Sequence, residues 1–368
     1  MNDQTRPRLI YLSEGYTTHD RRFLSAAVDY GWIPYWLRCD AGLRTLDDAP
    51  VPTEVVVVDW LGSVENLAEA NSQRFVEAFR LAAARIRPVV IHAGPVPTAG
   101  FVAVSAGVAP VLVTSWGSDL LVDTQAADVR ARAMAALRGA SKVLVDCQTV
   151  ARKAITLGAA VDQLAVVPYG VELQSFAYTP PRLEPGRLRL LSLRSLERPY
   201  DISTLLRGFA GAAQGAGDDN ATLTIAGSGS QEGDLRELAE VLGISRLVTW
   251  RGRVSEIEVA MLLRDHDLHV STALSDGSSV SLLQAMAVGR PSIVSDLPSN
   301  REWVIPGVTG WVFEVGNPDS LAQAIGDAES ARADLGMMAE RGRAAVEARA
   351  NWRENGSLIA GLYKEVAR

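Results

Sequence analysis

The sequence is poor in the residue types that staple or metallate small proteins. Among 368 residues there are two cysteines and four histidines. Cys39 and Cys147 stand far apart with no paired spacing, which argues against a disulfide framework and a cysteine-type zinc site. Four scattered histidines outline no metal centre, so no metal is expected. Lysine occurs only three times, a bias that reflects coding more than function. Blocks of one charge are also missing. The 36 basic and 43 acidic residues give a net charge of −7, and the first 175 residues (16 basic, 18 acidic) hide no basic domain. That balance speaks against a nucleic-acid partner or an anionic membrane surface. The longest stretch without Asp, Glu, Lys or Arg, residues 88–118, would span a bilayer, but four prolines and four glycines interrupt it. It reads as strand, loop, helix and strand, with no integral membrane segment. No secretory apolar region precedes the run Leu9–Leu12, which points to the cytoplasm.

What remains is a chain that is 48% hydrophobic and long enough for two cores. Short apolar runs alternate with stretches of helical period, the pattern of parallel sheets covered by helices on both faces, so the fold class is α/β. Strands are expected at Arg8–Ser13, Ile33–Arg38, Val55–Trp60, Val89–His92, Val111–Ser115, Lys142–Asp146 and Leu164–Val167. A helix is expected over His19–Tyr30. The turn-rich stretch Tyr178–Gly186 marks a boundary, after which strands recur at Leu188–Leu193, Thr222–Ala226, Leu247–Trp250, Leu268–Ser271 and Ser292–Ser295. Two doubly wound domains facing a central cleft follow, with ligands expected beyond the carboxyl ends of the strands.

Arg194 lies just beyond one such strand and Asp276 a few residues beyond another. Gly277, Ser278 and Ser279 then open a helix over Val280–Val288 that Gly289 ends. Helix-start amides and a hydroxyl suit a phosphate, and a planar guanidinium grips two oxygens of a diphosphate. The competing reading pairs Arg194 with Glu197 on the surface and makes the serines a plain N-cap. The turn Gly227–Gly233 follows a strand, yet the position of the third glycine of a dinucleotide fingerprint is Glu232, so a nicotinamide oxidoreductase rests on that loop alone. It is equally a nucleotide-contacting loop or a tight turn.

Residues 270–296, with Asp276, Gln284 and Ala285-Met286-Ala287, resemble the signature of the retaining family 4 glycosyltransferases, E-x7-E-A-M-A-x-G-x-P. Val167–Phe176 is similar to that family's interdomain motif, and Leu223–Gly229, Val248–Val254 and Gly307–Phe313 fit in order. The resemblance implies a GT-B fold of two Rossmann-like domains: acceptor binding in residues 1–178, nucleotide-sugar binding in 179–345, and a final helix in 346–368 crossing back to the first. It implies a metal-independent, retaining, hexosyltransferase-type enzyme of biosynthesis. A nucleoside diphosphate sugar would be co-substrate and a small molecule or glycan the acceptor, at a hydroxyl before a thiol or amine. Carried over by position, Asp276 and Arg194 are catalytic candidates; Asp119 joins them as a substitute, with His19, for a histidine of the relatives, and reads equally as a helix-capping Asp beside a packed Trp116. Gly15, Arg194, Arg198, Gly227, Arg253, Val254, Gly277, Ser278, Ser279, Val280 and Gln284 would bind the donor, with His19, His92 and Trp116 on the acceptor side.

Two signature positions depart from the pattern. Asp276 is a methylene shorter than the family's Glu, and Gln284 replaces the Glu that would hold the ribose. Gln keeps two hydrogen-bonding ends without the charge. Trp116 stands where many relatives have a histidine. These departures also motivate a non-catalytic nucleotide- or sugar-binding protein of the same fold. The nucleotide base, sugar, acceptor and oligomeric state are not legible in the sequence.

Overall fold

The computed structural model describes residues 6–47, 49–67, 72–182, 187–216 and 221–368. The opening residues 1–5 and the end of the turn-rich stretch, 183–186, lie outside them. The chain divides into two compact units, one of Met1–Tyr169 with Arg353–Arg368, the other of Gly170–Trp352.

Among the described residues the first unit holds seven strands: β1 (Arg8–Ser13), β2 (Ile33–Arg38), β3 (Val56–Val57), β4 (Val90–Gly94), β5 (Val111–Thr114), β6 (Lys142–Val145) and β7 (Leu164–Val166). All pair in parallel, in the order β3-β2-β1-β4-β5-β6-β7. Between them run α1 (Thr18–Asp29), α2 (Ser72–Ile86), α3 (Phe101–Ala106), α4 (Ser118–Leu121), α5 (Ala127–Gly139) and α6 (Gln148–Thr156). Central strands such as β4 and β5 are buried on both faces, which is why they read as apolar runs. β3 is the exception to the expected Val55–Trp60 strand. Both of its residues are exposed at the sheet edge, and Trp60 turns away to donate to the Arg38 carbonyl (2.6 Å) and pack edge-on against Phe75 and Phe79.

The second unit repeats the plan with β8 (Leu188–Ser192), β9 (Ala221–Ala226), β10 (Val248–Gly252), β11 (Leu268–Ser271), β12 (Ser292–Ser295) and β13 (Gly310–Phe313), ordered β10-β9-β8-β11-β12-β13 and again parallel. Its helices are α7 (Ile202–Ala216), α8 (Glu232–Val241), α9 (Glu256–Asp265), α10 (Val280–Val288), α11 (Pro318–Ser330) and α12 (Leu335–Arg349). Strand order reverses between β1 and β4 in one sheet and between β8 and β11 in the other. Those are the two places where the chain leaves a crevice for a ligand.

The units meet in sequence nine residues before the expected boundary at 178/179. Val171 and Phe176 are buried with Leu282, Leu283 and Met286 of α10, so this segment packs as part of the second unit. The return falls at Trp352 rather than 345, because Val171 bridges Asn351 and its carbonyl accepts from the Trp352 amide. The last helix, α13 (Trp352–Val366), has buried Tyr363 beside Trp32 and His92 of the first unit.

Candidate active site

At the reversal point of the second sheet, Arg194 follows β8 and the loop from Thr272 to Ser279 follows β11. Arg194 does not pair with Glu197, which instead accepts from the amide and hydroxyl of Ser230. Its guanidinium turns inward, donating through Nη1 to Ser279 Oγ (2.8 Å) and Ser281 Oγ (3.4 Å) and through Nη2 to Asp276 Oδ2. The ring of Tyr200 lies 4.3 Å from the guanidinium carbon. Ser279 caps α10, accepting from the Leu282 amide, and helix and cap occupy the residues expected from sequence. Ser278 Oγ accepts from Trp303 Nε1 (3.3 Å). Val280 and Gln284, four apart, are the half-buried residues of α10, whose other side chains are buried.

Gly227 supports this arrangement from behind. A Cβ there would lie 2.1 Å from the Arg194 carbonyl oxygen, so only glycine lets the loop after β9 pack on the loop after β8. Gly229 abuts Leu196 in the same way, and the Leu196 amide donates to the Ser228 carbonyl. These glycines are thus spent on chain packing. Gly277 is buried in the loop with Asp276, while Arg198, Arg253 and half-buried Val254 stand at exposed turns after β8 and β10.

The first unit carries a cavity of about 340 Å³ at its own reversal point, lined by residues after β1, β4 and β5. Gly15, next in sequence to the lining residue Glu14, has φ +117° and so little room that a Cβ would meet the Arg44 carbonyl oxygen at 2.6 Å. His19 and Trp116 stack, 5.8 Å between centroids, and Tyr169 meets His19 edge-on. Burial lowers His19 to about 3, so it is neutral, and its Nδ1 is buried without a partner. Asp119 accepts from the Val96 amide (2.9 Å) and Ser115 Oγ (2.6 Å), tying the β4 and β5 loops together. Its burial raises it to about 6. Glu14 and Asp123, unanticipated from sequence, also line the cavity and are raised by burial. Glu14 was nonetheless findable, since it directly follows the first strand.

His92 is a correction. Rather than lining a cavity it is wholly buried on β4, its ring nitrogens bonded to Thr114 Oγ1 (2.5 Å) and Tyr363 Oη (2.9 Å). It serves the attachment of α13. A larger groove, about 690 Å³, runs between α7 and α11 beside Ala221, the first residue of β9, opposite the carboxyl ends of the strands where such sheets hold their ligands.

Two doubly wound parallel domains, each with polar groups converging at its reversal point, define a GT-B fold. Residues 180–356 match the family model described as "Glycosyl transferases group 1". Sucrose-phosphate synthase from Thermosynechococcus elongatus superposes with a TM-score of 0.79 at 19% identity, over 98% of this chain and 99% of that one. Anabaena Alr3699/HepE in complex with UDP-glucose gives 0.77 at 16% identity, over 97% and 99%. The D-inositol 3-phosphate glycosyltransferase of Pseudarthrobacter chlorophenolicus is 26% identical over 214 residues, 55% of this chain and 51% of that protein. The chain spans about a quarter to three-fifths of the length of the curated relatives it matches. Among the described residues no helix is long and apolar enough to cross a membrane.

Proposed function

We propose that the protein is a retaining, metal-independent glycosyltransferase that moves a sugar from a nucleoside diphosphate sugar to a hydroxyl of a small molecule or glycan. The observation that carries this is the convergence of Arg194 with the start of α10 at the reversal point of the second sheet. Charge builds on the departing diphosphate, and a buried guanidinium held beside helix-start amides meets it without rearrangement of the backbone. Gln284, one turn along α10 from Val280, is assigned to the ribose, and Asp276 to the donor sugar. The acceptor is assigned to the first unit's cavity, on the His19–Trp116 stack beside Asp119. In a retaining transfer the acceptor attacks from the face the nucleotide leaves, so the leaving diphosphate takes its proton and neutral His19 need not act as a base.

The test is a thermal-shift screen of wild type and Arg194→Ala against UDP, GDP, ADP, dTDP and CMP, with and without magnesium. UDP comes first, because a structural neighbour is a UDP-glucose complex. One diphosphate should raise the wild-type melting temperature without metal, and the variant should lose that shift. A shift that requires magnesium would sink the metal-independent part. If none binds, the non-catalytic reading, motivated by Gln284 in place of a family acid, moves ahead.

A further inference from the structure

Arg194 is the group expected to hold the donor's diphosphate, yet in this structure its guanidinium is already occupied by an anion of the chain itself. Its three partners differ in kind. Ser279 and Ser281 are buried and fixed on α10, whereas the Asp276 side chain is 21% exposed on the preceding loop. The backbone at Asp276 is pinned, its carbonyl accepting from Ser299 Oγ (2.8 Å), so the carboxylate can swing without the loop moving. Arg194 cannot follow, because Tyr200 and the two serines hold its guanidinium in place. Asp276 is therefore the exchangeable partner.

We propose that Asp276 is a specificity-determining residue that distinguishes a sugar-bearing nucleoside diphosphate from the bare nucleoside diphosphate by competing for Arg194. The proposal rests on the donor-site reading above. A phosphate oxygen that takes Nη2 must displace the carboxylate, which is left beside a second anion. Such a carboxylate is stable only if something donates to it. The hydroxyls of a sugar donate; a terminal phosphate does not. The sugar conjugate thus compensates Asp276 for the loss of Arg194, while the bare diphosphate leaves it uncompensated, and the carboxylate returns to Arg194 and expels it. After transfer, the same competition promotes release of the spent nucleotide.

Isothermal titration of wild type, Asp276→Asn and Asp276→Ser with UDP, GDP and ADP, and with their glucose conjugates, tests this. Removing the competing charge should tighten the bare diphosphate at least about tenfold, and the preference for the conjugate should shrink by a similar factor. Dissociation of the bare diphosphate should slow in step. In an Arg194→Ala background Asp276→Asn should have no such effect, since nothing is left to compete for. Bare-diphosphate binding that is unchanged or weaker in folded Asp276 variants overturns the proposal while leaving the donor site intact. Absence of nucleotide binding in every protein overturns the donor-site reading, and this proposal with it.

Discussion

Asp119 shows how one buried carboxyl records both architecture and charge. It accepts two hydrogen bonds from neighbouring loops, yet burial outweighs them and lifts its pKa from 3.8 to about 6. The sign follows. Between its ordinary range and about pH 6 the unfolded chain has released the proton while the fold retains it, so stability falls as pH rises through that window. Asp119→Asn removes this penalty. Its melting temperature relative to wild type should climb from pH 4 and level off above about pH 6, with a pH-dependent part of up to about 3 kcal/mol. A pH-independent difference would show that Asp119 titrates normally. Of the residues in the two sites, those lying just past strand ends were legible in sequence, Arg194, Asp276 and Asp119 among them. The partnership between Arg194 and Asp276 was not, because 82 residues separate them and charge alone pairs Arg194 equally well with Glu197.

Elements were readable in proportion to their burial. Central strands come out as apolar runs, and α10 is bounded by its cap serine and by Gly289, so its limits match the expected ones. At the sheet edge that logic fails, and β3 shrinks to two exposed residues. The docking of α13 depends on a contact 271 residues apart in sequence, Tyr363 Oη with His92 Nδ1, which no local period reports. Tyr363→Phe keeps the ring against Trp32 but leaves a buried imidazole nitrogen unsatisfied. The variant should lose about 1–3 kcal/mol in chemical denaturation, and nucleotide affinity should be unchanged. No loss would mean the bond contributes nothing to the attachment.

Across the whole molecule the two sheets share one vulnerability to acid. His92 on β4 and His269 on β11 are wholly buried beside the reversal points, and burial lowers both from 6.5 to about 3. An unfolded chain binds protons at these positions below pH 6.5 while the fold refuses them until about pH 3. Stability is therefore full above 6.5 and is lost as pH falls through that window, by roughly 1.4 kcal/mol per pH unit for each group. Asp119 works in the opposite direction, together with Glu14, Asp20 and Asp123, which burial also raises. Melting temperature should decline steadily below pH 6.5, and His269→Gln should flatten the decline; an unchanged slope would place the acid sensitivity elsewhere.

The first unit is built from both ends of the chain and the second from its middle, entered after Tyr169 and left after Trp352. In genetic terms the second is a cassette inserted into a host. Its two ends already lie side by side, where Val171 bridges Asn351, so a single excision removes one uninterrupted reading frame and leaves a gap that a short splice could close. Exchange between genes at these junctions would carry over the Arg194 site entire, while the host kept its own cavity and α13.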